Sequence, residues 1–262
     1  STRWVSEPGA DFAPRSLAGC IVANELVDAL PTHVVVKRAG TLAEVYVALA
    51  TRSERAPFAE VLAPPSSPAV AGYLDRFGVA WRDFPDGWRA EICLAAEDWQ
   101  RDMAALLRRG FALTLDYGDT ARRLYTRDRR HGTLMVYRQH QLGDHPLAHP
   151  GEQDLTAHVN FSALVAAGRA AGLRLAGLTT QAALLEHLGL RAEAAALAAR
   201  RFPAAAETTT AQGALAYLRQ SSLRAAVQLL LNPQGLGGFR VLIQQRGVPG
   251  ASLRLLGLRS VR

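Results

Sequence analysis

The sequence predicts an α/β fold, a mainly parallel sheet covered by helices on both faces, and three observations carry that expectation. Short apolar runs alternate with helical patterns: "GCIVAN" at residues 19–24, a helical stretch at 95–109, "FALTLD" at 111–116, a second helical stretch at 162–171 and a strand at 173–179. Glycines stand where each helix must give way, at Gly110 and Gly172. The 262 residues, 49% of them hydrophobic, are enough for one large domain with a substantial core.

Taken in order, residues 19–24 form a short apolar strand that ends in Asn24, Glu25 and Asp28. "HVVVKRAGTLAEVYVAL" (33–49) reads as two extended runs around a glycine turn, a hairpin insert over about 33–50. "APPSSP" (63–68) is a loop, and Trp81, Trp88 and Trp99 read as core or hairpin packing. Residues 95–109 place Trp99, Met103 and Leu106 or Leu107 on one helical face, with Gly110 as the stop before the next strand. Residues 120–153 are polar, hold prolines and glycines, and are too long for an ordinary connection, so they are a functional loop or a small irregular insert. "DLTAHVNFSALVAAGRAAGLRLAGLTT" gives a capped start, a helix and a strand. Residues 181–231 are alanine-leucine helix broken near Pro203, and "FRVLIQQRG" (239–247) returns to strand.

Composition narrows the function classes. Lys37 is the only lysine among 30 basic residues, so the net charge of +7 comes from arginines that accompany many alanines, a composition bias. The densest basic stretch, 121–132, has Tyr125 as its one aromatic, and reads as a solvated loop before it reads as a polyanion site; no nucleic-acid partner is expected. Cys20 and Cys93 lie far apart with no CxxC, which gives a disulfide framework or zinc ribbon no support and fits a reducing, cytoplasmic setting. Neither a membrane span nor a secretory signal is visible.

In parallel sheets ligands collect outside the carboxyl ends of the strands. Two strands here end in polar residues, one in Asn24, Glu25 and Asp28, the other in Asp116, Tyr117, Gly118 and Asp119. If these strands are neighbours, both clusters open onto one cleft.

The strings "ANELVDALP", "LTLDYGD", "GTLMVYRQH", "PGEQDLTAHVNFSAL" and "GLTTQAALLEHLGL", in this order, resemble the MidA (NDUFAF7-type, DUF185) family of S-adenosylmethionine-dependent methyltransferases. The resemblance covers residues 16–189 and continues weakly into 239–247. It implies a class I, Rossmann-like sheet in which residues 19–24 are the fourth strand, 111–116 the fifth, and the strands at Leu173 and Phe239 the final antiparallel pair. It implies S-adenosyl-L-methionine as cofactor and, from the family's mitochondrial member, an arginine of a protein related to a complex I subunit as acceptor. The family's glycine-rich cofactor loop and acidic ribose ligand precede the "ANE" string, whereas here 22 residues precede Ala23 and "EPGADFAPRSLAG" holds no GxGxG. The chain is therefore expected to be one α/β methyltransferase-like domain over 1–262, the C-terminal portion of a longer enzyme or a degenerate relative. Alone, it is expected to bind the cofactor weakly and to self-associate, as a homodimer or as a poorly soluble species, through an uncovered sheet edge. The alternative is a non-catalytic assembly module that keeps the scaffold without the cofactor half.

Under that resemblance Glu25, Asp28, Asp116 and His158 are the candidate catalytic residues, and Asn24 and Glu25 the candidate cofactor contacts. Asp28, Glu91, Tyr117, Gly118 and Asp154 are the candidate acceptor contacts. Carboxylates are the groups that grip a guanidinium bidentately, and Glu25 and Asp28, three apart, share one face if they lie on a helical turn. Otherwise Asp28 caps a turn ahead of Pro31 and Glu25 pairs with a surface arginine. Tyr117 and Gly118 line the cleft or form a plain turn; Glu91 faces the cleft or is solvated. Asp154 is a helix N-cap or an acceptor contact, and His158 bonds the acceptor. His131, His140, His145, His149 and His158 crowd one region, yet their spacing matches no usual ligand pattern and no metal is expected.

Overall fold

A computed structural model of the chain describes residues 11–50, 57–139, 141–143, 145–201 and 210–248. The first strand, β1 (Leu17–Asn24), leads through a bend to the expected hairpin, β2 (His33–Arg38) and β3 (Thr41–Leu49). Ala39 and Gly40 both take positive φ, 47° and 76°, the two-residue reversal that matches strand twist. The hairpin grows beyond what the sequence shows. β4 (Phe58–Ala63) pairs with β3 and β5 (Arg89–Ile92) with β2, giving an antiparallel sheet in the order β4-β3-β2-β5. Between β4 and β5 lie two single turns, α1 (Pro68–Ala71), capped by Ser67, and α2 (Tyr73–Arg76). One face of this sheet buries Val35, Leu42, Ala90 and Ile92 against Tyr73, Leu74, Trp81 and Trp88, so these two tryptophans are core, as expected.

Next come α3 (Leu94–Leu106) and β6 (Leu107–Asp116) with no turn between them. Gly110 is therefore no stop signal but lies inside β6, opposite Gly19 of β1. A Cβ built on Gly110 would stand 1.8 Å from the Gly19 carbonyl oxygen, so only glycine lets the two backbones meet there. Residues 120–153 are not irregular throughout. After β7 (Gly118–Asp119) and the turn α4 (Ala121–Leu124), β8 (Met135–Arg138) pairs with β9 (Gln141–Gly143) and with β10 (Asp154–Thr156) in a small antiparallel sheet. β11 (Val159–Asn160) then runs parallel to β7 and starts α5 (Phe161–Ala170), which leads to β12 (Arg174–Thr180). The cap of α5 is Asn160, whose Oδ1 accepts the Ser162 amide at 3.0 Å, and not Asp154.

The helical tail is α6 (Gln181–His187), α7 (Leu190–Arg201) and α8 (Thr210–Leu231); Pro203 lies outside the described residues. It returns as β13 (Arg240–Arg246), which inserts antiparallel between β6 and β12 to give the order β1-β6-β13-β12. This matches the fourth, fifth and final paired strands implied by the resemblance. β13 is buried on both sides: Leu242 packs with Phe161 and Leu164, while Val241 and Ile243 pack with Leu184 of α6 and Leu113 of β6. At its end the buried Arg246 guanidinium donates to the carbonyls of Ala104 (2.6 Å), Leu107 (2.8 Å) and Ala171, closing the C-terminal ends of α3 and α5 together. Among the described residues no helix is long and apolar enough to cross a membrane.

Candidate active site

β1 and β6 are parallel neighbours in register, Asn24 opposite Leu115, so the two polar strand ends do converge. The anchor is Asp116, fully buried at the end of β6. Its Oδ2 accepts the amides of Val27 (3.1 Å) and Asp28 (3.2 Å) and its Oδ1 that of Tyr117 (3.0 Å). These bonds hold the bend after β1 in place. Burial, and then the neighbouring Asp28 carboxyl, push Asp116 up to about 7 against the pull of those amides.

Asp28 itself is only 6% exposed. Its Oδ2 accepts the Tyr117 hydroxyl, and its Oδ1 is buried with no partner among the described residues. Burial, followed by the Asp28 contact, holds the Tyr117 phenol well above its usual range, so it remains a donor. The Tyr117 ring is held edge-on by His158 (5.4 Å between centroids) and tilted against Phe239 (5.5 Å). Burial, then the charge of Arg129, lowers the His158 imidazole from its ordinary value, leaving it neutral at pH 7 with a lone pair to offer.

Glu25, Asp28, Tyr117, Asp154 and His158 all line one cavity of about 1060 Å³. Glu25 and Asp28 do not share a helical turn. Glu25 sits in a bend at φ 47° and is exposed, while Asp28 points inward, and they meet only across the cavity wall. The remaining candidates lie elsewhere. Asn24 is exposed and its amide bonds Glu25 Oε1 at 3.2 Å. Asp116 stands behind the wall, and Gly118 serves close packing on β11, since a Cβ there would be 2.1 Å from the Val159 carbonyl oxygen.

Glu91 is neither solvated nor in the cleft. It is buried in β5, where its Oε2 accepts the amide and hydroxyl of Thr133 at 2.7 and 2.8 Å, and Thr133 in turn accepts the His158 amide at 3.1 Å. Glu91 thus supports the segment that carries His158. Sequence reasoning missed Met135, Tyr137 and Phe239, which complete the cavity. The signal for the first two was a period of two in "LMVYR": Val136 is buried while Met135 and Tyr137 face the opening. Among the described residues no group of three or more His, Cys, Asp or Glu is placed to hold a metal ion, and His140 lies outside them.

The cavity fits the methyl-bearing end of a sulfonium cofactor: three carboxylates, Glu25, Asp28 and Asp154, and the rings of Tyr117, Tyr137 and Phe239 surround a space of ample size.

Comparison with known proteins bears on the family and the fold. Residues 1–179 match the family described as "Putative S-adenosyl-L-methionine-dependent methyltransferase". The chain is 27% identical over 239 residues to the mitochondrial protein arginine methyltransferase NDUFAF7 homolog of Drosophila melanogaster, covering 89% of this chain and 48% of that protein. It is similar to a COG1565 superfamily member of Burkholderia thailandensis solved with bound S-adenosyl-homocysteine (TM-score 0.77, 31% identity, 94% of this chain and 57% of that one). A native COG1565 structure from the same organism gives the same score and identity over 59% of its chain. The chain thus spans about half the length of its curated relative and under three fifths of these solved neighbours. With the strand order, the converging strand ends and these matches in agreement, the chain belongs to this family of S-adenosyl-L-methionine-dependent methyltransferases.

Proposed function

We propose that this chain carries the acceptor-facing part of a methyltransferase site whose acceptor is an arginine side chain of a protein, of the kind found in respiratory-complex subunits. The observation that carries the reading is Asp28, a buried residue on the wall of a cavity that also holds Glu25 and Asp154, whose Oδ1 has no donor among the described residues. A guanidinium supplies two parallel N–H donors for such a group. The relative from Drosophila melanogaster, named as an arginine methyltransferase, supports the same acceptor.

When bound, S-adenosylmethionine supplies a methyl group already activated as a sulfonium, so N–C bond formation at the acceptor is matched by S–C cleavage and release of one proton. The protein's task is then positioning. Asp28, held by Tyr117 through Oδ2, presents its carboxyl to the acceptor, and Glu25 adds a second carboxyl from the rim. His158, neutral, takes the released proton. Cys20 and Cys93, both free thiols, suit a reducing, cytoplasmic setting.

Incubating the full-length protein with methyl-labelled cofactor and cell extract tests this. The expected outcome is a labelled protein band that Asp28→Asn weakens by about tenfold to a hundredfold, the worth of a charged hydrogen bond. Cofactor binding without any labelled protein overturns the protein acceptor. Absence of cofactor binding favours the assembly-module reading.

A further inference from the structure

We infer that the acceptor reaches Asp28 through a second cavity, as an extended polypeptide laid between β4 and the 145–149 loop with one long cationic side chain pointing inward. This rests on the methyltransferase reading for what happens at Asp28; the route rests on three cavities in series. The large cavity shares Asp28, Ala29, Leu155 and Thr156 with a neighbour of about 310 Å³. That one shares Glu60, Pro146 and Leu147 with a third, of about 640 Å³.

The middle cavity is an apolar collar. Val34, Val45 and Val47 of the antiparallel sheet form one side, and Leu134, Leu147 and Leu155 are among the residues that complete it. Its charged residues are Asp28 at the inner end and the Glu60–Arg89 pair, a two-pronged contact at 2.7 and 2.9 Å in which Glu60 also borders the third cavity. Such a collar suits the methylene stem of an arginine or lysine, and its inner end brings the charged head to Asp28, which lines both cavities and whose Oδ1 has no donor among the described residues. In the third cavity Phe58, Ala59 and Glu60 of β4 face residues 145–149. β4 pairs only with β3 among the described strands, so its other backbone edge is free to add an extended peptide. The large cavity holds the methyl donor, and the guanidinium head enters it beside Asp28 from the collar, so that the two reactants arrive from different sides, as in-line transfer requires.

The test is nitrogen-15 NMR of the full-length protein titrated with acetyl-Ala-Val-Arg-Val-Ala-amide, with the same peptide carrying citrulline, and separately with S-adenosylhomocysteine. Expected are saturable amide shifts at residues 58–62, 147–149 and 28–30, with binding at least tenfold weaker for the citrulline peptide. Val47→Trp, which fills the collar from an exposed strand position, weakens the arginine peptide at least tenfold and leaves the S-adenosylhomocysteine titration unchanged. Peptide shifts confined to Met135 and Tyr137, wild-type peptide binding by Val47→Trp, or no saturable peptide shifts overturn the route. Failure of S-adenosylhomocysteine to shift the large-cavity amides counts against the methyltransferase reading alone, while failure of the peptide beside intact S-adenosylhomocysteine binding counts against the route alone.

Discussion

Asp116 shows how a single carboxyl serves a site without touching its cavity. Three backbone amides converge on it, and it fixes the bend that carries Glu25 and Asp28. In Asp116→Asn an amide N–H must face one of those donors, so a loss of about 1–3 kcal/mol at pH 7 is expected, read from the urea midpoint. The pH dependence follows from its raised value. Held at about 7 in the fold against an ordinary 3.8, the group keeps its proton longer in the folded chain. As pH climbs between those values the unfolded chain releases its proton first, so this group's contribution to stability falls across that window and is level above it. The wild type loses midpoint there relative to Asp116→Asn, whose curve lacks the slope. None of this was legible in "LTLDYGD", because the amides that Asp116 binds include two that lie 88 and 89 residues away. Glu91 escaped for the same reason, its partner Thr133 being 42 residues distant.

At the scale of elements, what the sequence states is what neighbours in the chain decide. The β2–β3 hairpin, α5 and β13 all follow from local period and turn residues. The α3–β6 boundary does not, because the polar break in "ALLRRGFALTL", Arg108 and Arg109, lies inside β6 and the glycine that looked like punctuation serves a contact with another strand. β8, β9 and β10 are short and mostly exposed, so no hydrophobic alternation of useful length announces them. The Gly19–Gly110 contact makes a sharp prediction. Gly110→Ala puts a methyl 1.8 Å from the Gly19 carbonyl oxygen at a φ of 134°. β1 must then part from β6, and a loss of about 3 kcal/mol or more is expected, a Tm drop of roughly 10 °C by circular dichroism. An unchanged Tm would mean that the two strands meet differently.

At the scale of the whole molecule, β1 leaves one flank of the larger sheet uncovered among the described strands. β1 is paired on one side only among the described strands, and Val22, 63% exposed, and Leu26, 42% exposed, lie bare on it or just beyond it. Such an edge recruits another strand, so the isolated chain is expected to self-associate at micromolar concentration in sedimentation velocity, and Val22→Lys to shift it toward monomer. A wild type that stays monomeric shows that the flank is closed in another way. The opposite end of the sheet bears on timing. Arg246 bonds carbonyls that precede it by 75 to 142 residues, so synthesis delivers α3 and α5 long before the cation that closes them. Until β13 slips between β6 and β12, both helix ends must lean on water. Seating β13 between β6 and β12 is therefore expected to come late, since each of its pairing partners lies far back along the chain.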